Sequence, residues 1–348
     1  MTRSGWMSAV IFAAVAAAWA GPYAGPLGSV PNPYDQGIPG WVGPAGDGVA
    51  HVDPWYPNPG QVLNDAFVAW AAGVVAYLPG SDVDADWSDP GKALGPATGD
   101  EFEIVSLGDL TAAAIAAYLA DPDGPGPHPG SITLSFDATI TDGPGADLAV
   151  FENGFSRSGS PQFFAELAYV EVSTDGAVFA RFPARSLAVR PAGNSWPYVS
   201  IDVTDVYNLA GKHTNAHGYS WGTPFDLADL AGDPAVLDGR VDPRAIHFVR
   251  IVDIPGSGDF LDAAGAPIYD GWVTYGSAGF DLEAVGVLNA ASFIPGDADG
   301  DGDVDLDDFV ILKQNFGLAP ASRGQGDFDG DEDVDLDDFV ILKQNFGT

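Results

Sequence analysis

Cysteine is absent from this chain of 348 residues. That excludes disulfide staples, thiol nucleophiles, thiolate metal sites and a lipid-bearing cysteine. Basic residues are scarce: 13 Lys and Arg stand against 49 Asp and Glu, a formal charge of −36. A nucleic acid needs a basic face, and so does an anionic membrane surface; neither is an expected partner. Cations are the natural partners of such a surface. Long apolar runs are lacking beyond the first twenty residues, so no membrane insertion is expected after that point. The G-x-S-x-G elbow, the P-loop and the dinucleotide fingerprint are also missing.

What is present begins with a leader-like segment. Arg3 precedes the apolar run Met7–Ala18, and Ala18-Trp19-Ala20 fits a small-x-small cleavage site. Residues 1–20 are therefore read as a secretory signal, with an uncleaved N-terminal anchor as the alternative, and a secreted product is expected. An exported chain without disulfides relies on core size or metal for its stability. Core material is available: 46% of residues are hydrophobic, with nine Trp and twenty Phe. Forty-five Gly and 28 Pro supply many turns, which points to a mainly β body.

The C-terminus carries a duplicated acidic segment. GDADGDGDVDLDDFVILKQNFG (296–317) is followed by GDFDGDEDVDLDDFVILKQNFG (326–347), and the stretch from Asp303 to Gly317 recurs unchanged at Asp333 to Gly347. In the first copy Asp297, Asp299, Asp301, Asp305 and Asp308 fall at positions 1, 3, 5, 9 and 12 of a loop, with the Asp303 carbonyl at position 7. This is the oxygen spacing of an EF-hand calcium loop, and Gly302 at position 6 permits its sharp bend. The second copy offers Asp327, Asp329, Asp331, Asp333, Asp335 and Asp338, but has Glu332 where the glycine belongs. A Cβ there strains a positive φ, so a weaker second site is expected. A helix should follow each loop, N-capped by Asp305 or Asp335, with Phe309, Leu312 and Phe316 (Phe339, Leu342 and Phe346) on one face and Gly317 at the C-cap. A disordered acidic tail would lack such matched apolar stripes. One unit is too small to fold alone; two units with two calcium ions make a minimal domain folded largely by metal.

These duplicated DxDxDxxxDxxD loops, each followed by one helix with a Leu-Lys pair, resemble a type I dockerin over 294–348. The resemblance implies a protein-docking module that binds a cohesin-like partner and tethers secreted proteins to scaffolds or cell surfaces. It places the docking contacts at Leu306, Asp307, Lys313 and Gln314, and at Leu336, Asp337, Lys343 and Gln344. It also implies two equivalent faces. The Leu-Asp pairs depart from the Ser-Thr pair of the best-known cellulosomal dockerins.

Residues 61–293 read as a separate β-sandwich body, after an irregular Pro/Gly-rich segment at 21–60. Strand-like runs occur at 102–107, 131–136, 147–152, 168–173, 178–182, 199–203, 246–254 and 280–288; ITLSF and VEVST alternate as half-buried strands do. Asp175-Gly176 marks a hairpin turn. DLTAAAIAAYLA, from Asp109 to Ala120, reads as an inserted helix. The ordered set SDPGKALGPATG, GPGADLAVFENGF, AYVEVSTDGAVF, IHFVRIVDI and GFDLEAVGVL is similar to a family of bacterial secreted cell-surface proteins, itself similar to galactose-binding-like, discoidin-type jelly rolls. The resemblance implies fold and location more than activity.

Within the body, Asp147, Glu152 and Asn153 cluster near one strand, and strand alternation puts Asp281 and Glu283 on one face. This set is the candidate for a further structural calcium, with solvated rim acids as the alternative. His213 and His217 stand at i, i+4, but in a loop-like context without the Glu of a zinc protease. Trp196, Tyr219, Trp221 and Trp272 are candidate sugar-stacking rings, with core packing as the alternative. The expected function is that of a secreted, non-catalytic surface protein: a calcium-dependent dockerin joined to a sandwich that binds carbohydrate. The rivals are an extracellular glycoside hydrolase using a pair of these acids and a purely structural surface component.

Overall fold

The computed structural model describes residues 23, 37–42, 62–100, 102–156, 162–189, 201–213, 215, 220–291, 294–300, 302–321 and 323–348. The leader-like segment, most of 21–60, Trp196, His217, Tyr219 and Asp301 lie outside the described residues.

The protein is mainly β. Its body is built on a six-stranded and a five-stranded antiparallel sheet. In chain order the strands are Ile38–Pro39 (β1), Ala69–Trp70 (β2), Gly73–Leu78 (β3), Val105–Ser106 (β4), Ser131–Ile140 (β5), Leu148–Glu152 (β6), Ala168–Ser173 (β7), Ala180–Arg181 (β8), Trp221–Phe225 (β9), Ile246–Asp253 (β10) and Asp281–Val287 (β11). The first sheet runs β1-β9-β6-β11, and β4 and β2 share the far side of β11. The second runs β8-β7-β10-β5-β3.

Period-two side-chain placement assembles the core between them. Ile132 and Leu134 of β5, Val170 and Val172 of β7, and Val249 and Ile251 of β10 face Leu148 and Val150 of β6, Phe225 of β9, and Leu282 and Val285 of β11. Each such fully buried side chain contributes about 1.5–3 kcal/mol. The opposite faces are covered too, which is why β7 is buried at every position. Tyr169 and Leu167 pack under the helix Ala112–Ala120 (α1) through Ile115, with Phe260 and Ile268. On the first sheet's outer face Phe67, Ala149, Phe151 and Ala284 form a separate cluster with Trp70.

Two expectations shift. The inserted helix starts at Ala112 rather than Asp109: Thr111 caps it through the Ala114 N–H, and Asp109 turns inward to accept from Leu110 N and Thr274 N. The hairpin at Asp175-Gly176 exists, but as a wider loop joining β7 to β8. Asp175 Oδ1 gathers the Ala177 and Val178 N–H groups, and Gly176 takes φ 73°.

Beyond a short helix at Pro234–Leu237 (α2), the C-terminal segment holds Leu306–Asn315 (α3) and Leu336–Asn345 (α4). Val304, Leu312, Val334 and Leu342 are fully buried between them, with Phe309 and Phe339 alongside at 6.1 Å between ring centroids. Phe316 and Phe346 are not part of this stripe. They sit at the helix C-caps, half exposed, and Ala298 and Phe328 from the loops fill the core instead. Among the described residues, no helix is long and apolar enough to cross a membrane.

Candidate metal centres

Each loop is organised around its twelfth residue. Asp308 is 1% exposed: its Oδ1 accepts from Ala298 N at 2.6 Å and Asp299 N at 3.2 Å, and its Oδ2 from Asp305 N at 2.8 Å. Asp338 repeats the pattern with Phe328, Asp329 and Asp335 at 2.6, 3.2 and 2.8 Å. Asp305 and Asp335 cap the helices and complete capping boxes with Asp308 and Asp338. Asp297 binds the Gly300 and Gly302 N–H groups, holding the turn closed.

In each copy the acids form two overlapping groups that share the twelfth residue, and Asp303 and Asp333 enter through their carboxylates rather than the carbonyl expected at position 7. Oxygens of Asp297, Asp299 and Asp308 lie within 4.8 Å of one another, as do those of Asp303, Asp305 and Asp308. In the second copy the groups are Asp327, Asp329 and Asp338, and Asp333, Asp335 and Asp338. Asp331 stays outside these groups and accepts from Asp333 N. Desolvation first, then the neighbouring acids, push the Asp329 and Asp333 carboxyls upward. Such clusters of acidic residues can hold a metal ion. The donors are all oxygens, which fits a hard cation of the calcium class.

The two units are reciprocal. A Cβ on Gly296 would stand 3.0 Å from Leu342 Cα, and one on Gly326 would stand 2.9 Å from Leu312 Cα. Gly317 N donates to Val334 O and Gly347 N to Val304 O, both at 2.7 Å. Each copy therefore seals the other's core. The loops are also distinct at position 6: Gly302 has φ 97° and Glu332 has φ 72°.

The outer sides of the helices remain open. Leu306 is 67% and Leu336 66% exposed, and Asp307, Lys313, Gln314, Asp337, Lys343 and Gln344 are exposed with them. Positions 306, 310, 313 and 314 share one helical face, to which Val310 and Val340 add exposed apolar surface. The first loop touches the body: His247 hydrogen-bonds the Asp299 backbone, and Gly300 lies against Thr139. A cleft of about 880 Å³ opens beside this contact, with Trp70, Phe136, Asp137, His247, Phe248 and Arg323 among its lining.

The five acid and amide residues expected to share a site in the body fall into three places. Asp281 accepts from Asn153, Ser106 and Ser277, and Glu152 lies beside it on β6. Asp147 is at the other end of β6, where it accepts from Gly143 N, Leu227 N and Asn289 Nδ2 and meets Asp142 and Asp226 within 4.8 Å. Burial pushes its carboxyl up to about 6. Glu283 is held by Thr98 N, Thr98 Oγ1, Gly99 N and Asn215 Nδ2. A register shift between Leu282 and Ala284 ends the regular alternation there, so Asp281 and Glu283 serve separate sites.

Around Glu152 and Asp281 the structure gathers residues that no spacing rule singled out: Asp109, Glu166, Asp253 and Asp270. All six carboxyl-bearing side chains are 2–4% exposed. Desolvation pushes every one of these carboxyls upward, and neighbouring acids add to it for all but Asp281. The only hint in the sequence is an acid at a strand end amid apolar residues, as in RIVDI and PIYDG.

His213 is buried beside Thr223, and burial pushes its imidazole downward. Trp272 donates its indole N–H to Leu110 O at 2.8 Å and packs on the cluster under α1. Trp221 lies in β9, paired with Pro39. No protein-family model matches the chain, and no curated protein matches it significantly.

Proposed function

We propose that this chain is a secreted, non-catalytic surface protein whose C-terminal loop–helix pair is a calcium-folded docking module of the dockerin type. The observation that carries the reading is the reciprocal pairing of two acidic loops, each centred on a buried Asp that gathers three backbone N–H groups. Without a cation these loops crowd like charges together. With one, repulsion becomes ligation, and metal binding becomes folding energy. The open helix faces with Leu306 and Val310, and Leu336 and Val340, are the surface for a cohesin-like protein module. The identical faces allow docking through either copy.

Carbohydrate is the ligand class proposed for the sandwich. The cleft beside the first loop supports it, because aromatic rings next to charged and polar groups suit a sugar face and its hydroxyls. The hydrolytic rival gains nothing from the six-acid group, whose side chains are closed off from any polysaccharide.

The test is chelation of the full chain. EDTA should abolish the helical circular dichroism of the C-terminal segment and its binding to a cohesin module, and calcium should restore both. Helix content and binding unchanged in EDTA would overturn the reading. Glycan-array binding in calcium and in chelator tests the sandwich separately.

A further inference from the structure

We propose that the first calcium loop has a partner within its own chain. With its ion bound, the loop seats the C-terminal module on β5 and β10 and so builds one wall of the cleft beside them. Ligand binding in that cleft is thereby gated by calcium. The proposal rests on the reading of the module as calcium-folded, and it gives the two copies, alike in their helices, different roles.

The two loops sit in different surroundings. Asp299 and Gly300, at positions 3 and 4 of the first, are half-buried; their counterparts Asp329 and Gly330 are exposed. His247 of β10 hydrogen-bonds the Asp299 backbone. A Cβ on Gly300 would stand 2.8 Å from Thr139 Oγ1 of β5, whereas one on Gly330 would meet nothing within 4 Å. The connection between body and module sets this difference. Ala291 N donates to Thr139 O at 2.9 Å and Ala290 pairs with Ile140, which pins the chain to β5. Ile294 already packs against the core of the module. Three residue steps separate Ala291 from Ile294, a reach of at most about 11 Å. So short a tether holds the first loop beside the sandwich at high effective concentration, and a few contacts then suffice to seat it.

Charge makes the seating depend on the ion. Asp137 lines the sandwich side of the cleft, and Asp297 and Asp299 line the module side. Oxygens of Asp297, Asp299 and Asp308 also lie within 4.8 Å of one another. Without a cation these acids repel one another and Asp137, which opens the loop and draws it off the strands. A bound cation relieves both repulsions and fixes the Asp299 and Gly300 backbone that meets the sandwich. The cleft, about 880 Å³, has Trp70, Phe136 and Phe248 on one side and Asp297, Asp299 and Ile311 on the other. When the module lifts away, those rings are left on an open sheet. By linkage, calcium and any ligand that needs both walls strengthen each other's binding.

The test is a disulfide, because the chain has no cysteine of its own. A Cβ on Gly300 lies 3.1 Å from Thr139 Cγ2, so Thr139→Cys with Gly300→Cys in the full chain puts a pair within bonding reach. Equilibrated in a glutathione buffer, that disulfide should be at least about fivefold more stable in calcium than in EDTA, the low end of a typical coupling. Equal stability in the two would overturn the proposal. Gly300 has φ 75°, a conformation that a side chain strains. If the double variant gains no helical circular dichroism in calcium, Thr139→Phe decides: it leaves the loop untouched and holds it off β5. Two ions share the lost coupling, so the calcium midpoint for helix formation should rise by about twofold. An unmoved midpoint would overturn the proposal. Failure of the docking reading shows differently, as helices that persist in EDTA. Helices lost in EDTA, with the disulfide or the midpoint unmoved, defeat this proposal alone.

Discussion

Replacing Glu332 with glycine should tighten the second loop's hold on calcium. The two loops differ at position 2, where Ala298 and Phe328 both pack into the core, and at position 6, where Gly302 has φ 97° and Glu332 φ 72°. A Cβ on Gly302 would meet nothing within 4 Å, so backbone conformation and not crowding distinguishes the two. A side chain held in the left-handed region costs about 1–2 kcal/mol. Glycine returns about 0.4–1 kcal/mol of that through the entropy of the unfolded chain. The net gain is about 1 kcal/mol, or about fivefold in a binding constant. The loops seal each other's cores, so they fold as one unit and two ions share the gain. The calcium midpoint should therefore fall by about twofold, the square root of fivefold. Removing the charge of an exposed Glu works the other way, by about 0–1 kcal/mol, so the reference is Glu332→Gln, which keeps the Cβ. The assay is helical circular dichroism of the full chain against free calcium. A Glu332→Gly midpoint equal to or above that of Glu332→Gln would refute the reasoning. Gly302→Ala should raise the midpoint by a similar factor.

Two further perturbations test other parts of the structure. Gly296→Ala and Gly326→Ala should each disrupt both loops, because the new methyl meets the backbone of the other copy's helix at 3.0 or 2.9 Å. Loss of one ion with the other intact, by calorimetry, would show the units to be independent. Lys212 is 2% exposed and donates an Nζ–H to Tyr23 O at 2.8 Å, and burial pushes its pKa down to about 6. The unfolded chain holds that proton up to about 10.4, so wild-type stability is penalised most below pH 6 and less as pH rises. Lys212→Met should stabilise by about 1–4 kcal/mol at pH 7, with the advantage shrinking toward pH 10 in urea melts. A pH-independent gap would show the lysine to be charged in the fold.

Much of the local structure was legible in the sequence. Alternation in ITLSF and VEVST marked β5 and β7, and the Asp spacing with Asp305 and Gly317 marked both ends of a loop–helix unit. These signals are local, set by periodicity and by caps within a few residues of each other. The acids of the body were not legible in the same way. Asp147 and Glu152 bound a single strand, yet at 3.2–3.4 Å per residue its ends lie about 15 Å apart and serve different sites. Asp281 and Glu283 are spaced two apart, as residues on one strand face are, but the register shift between Leu282 and Ala284 breaks the alternation and sends each to its own partners.

The sequence by itself determined the mainly β class, the duplicated acidic loops and the oxygen donors they carry. Each of those follows from residue type and short-range spacing. Only the tertiary structure decided that the two units seal one another through Gly296 and Gly326, and that Asp109, Glu166, Asp253 and Asp270 join Glu152 and Asp281 in one buried group. The reason is physical: burial of a charged group depends on which strand ends the sheet pairing brings together, and pairing between residues far apart in the chain leaves no periodic trace.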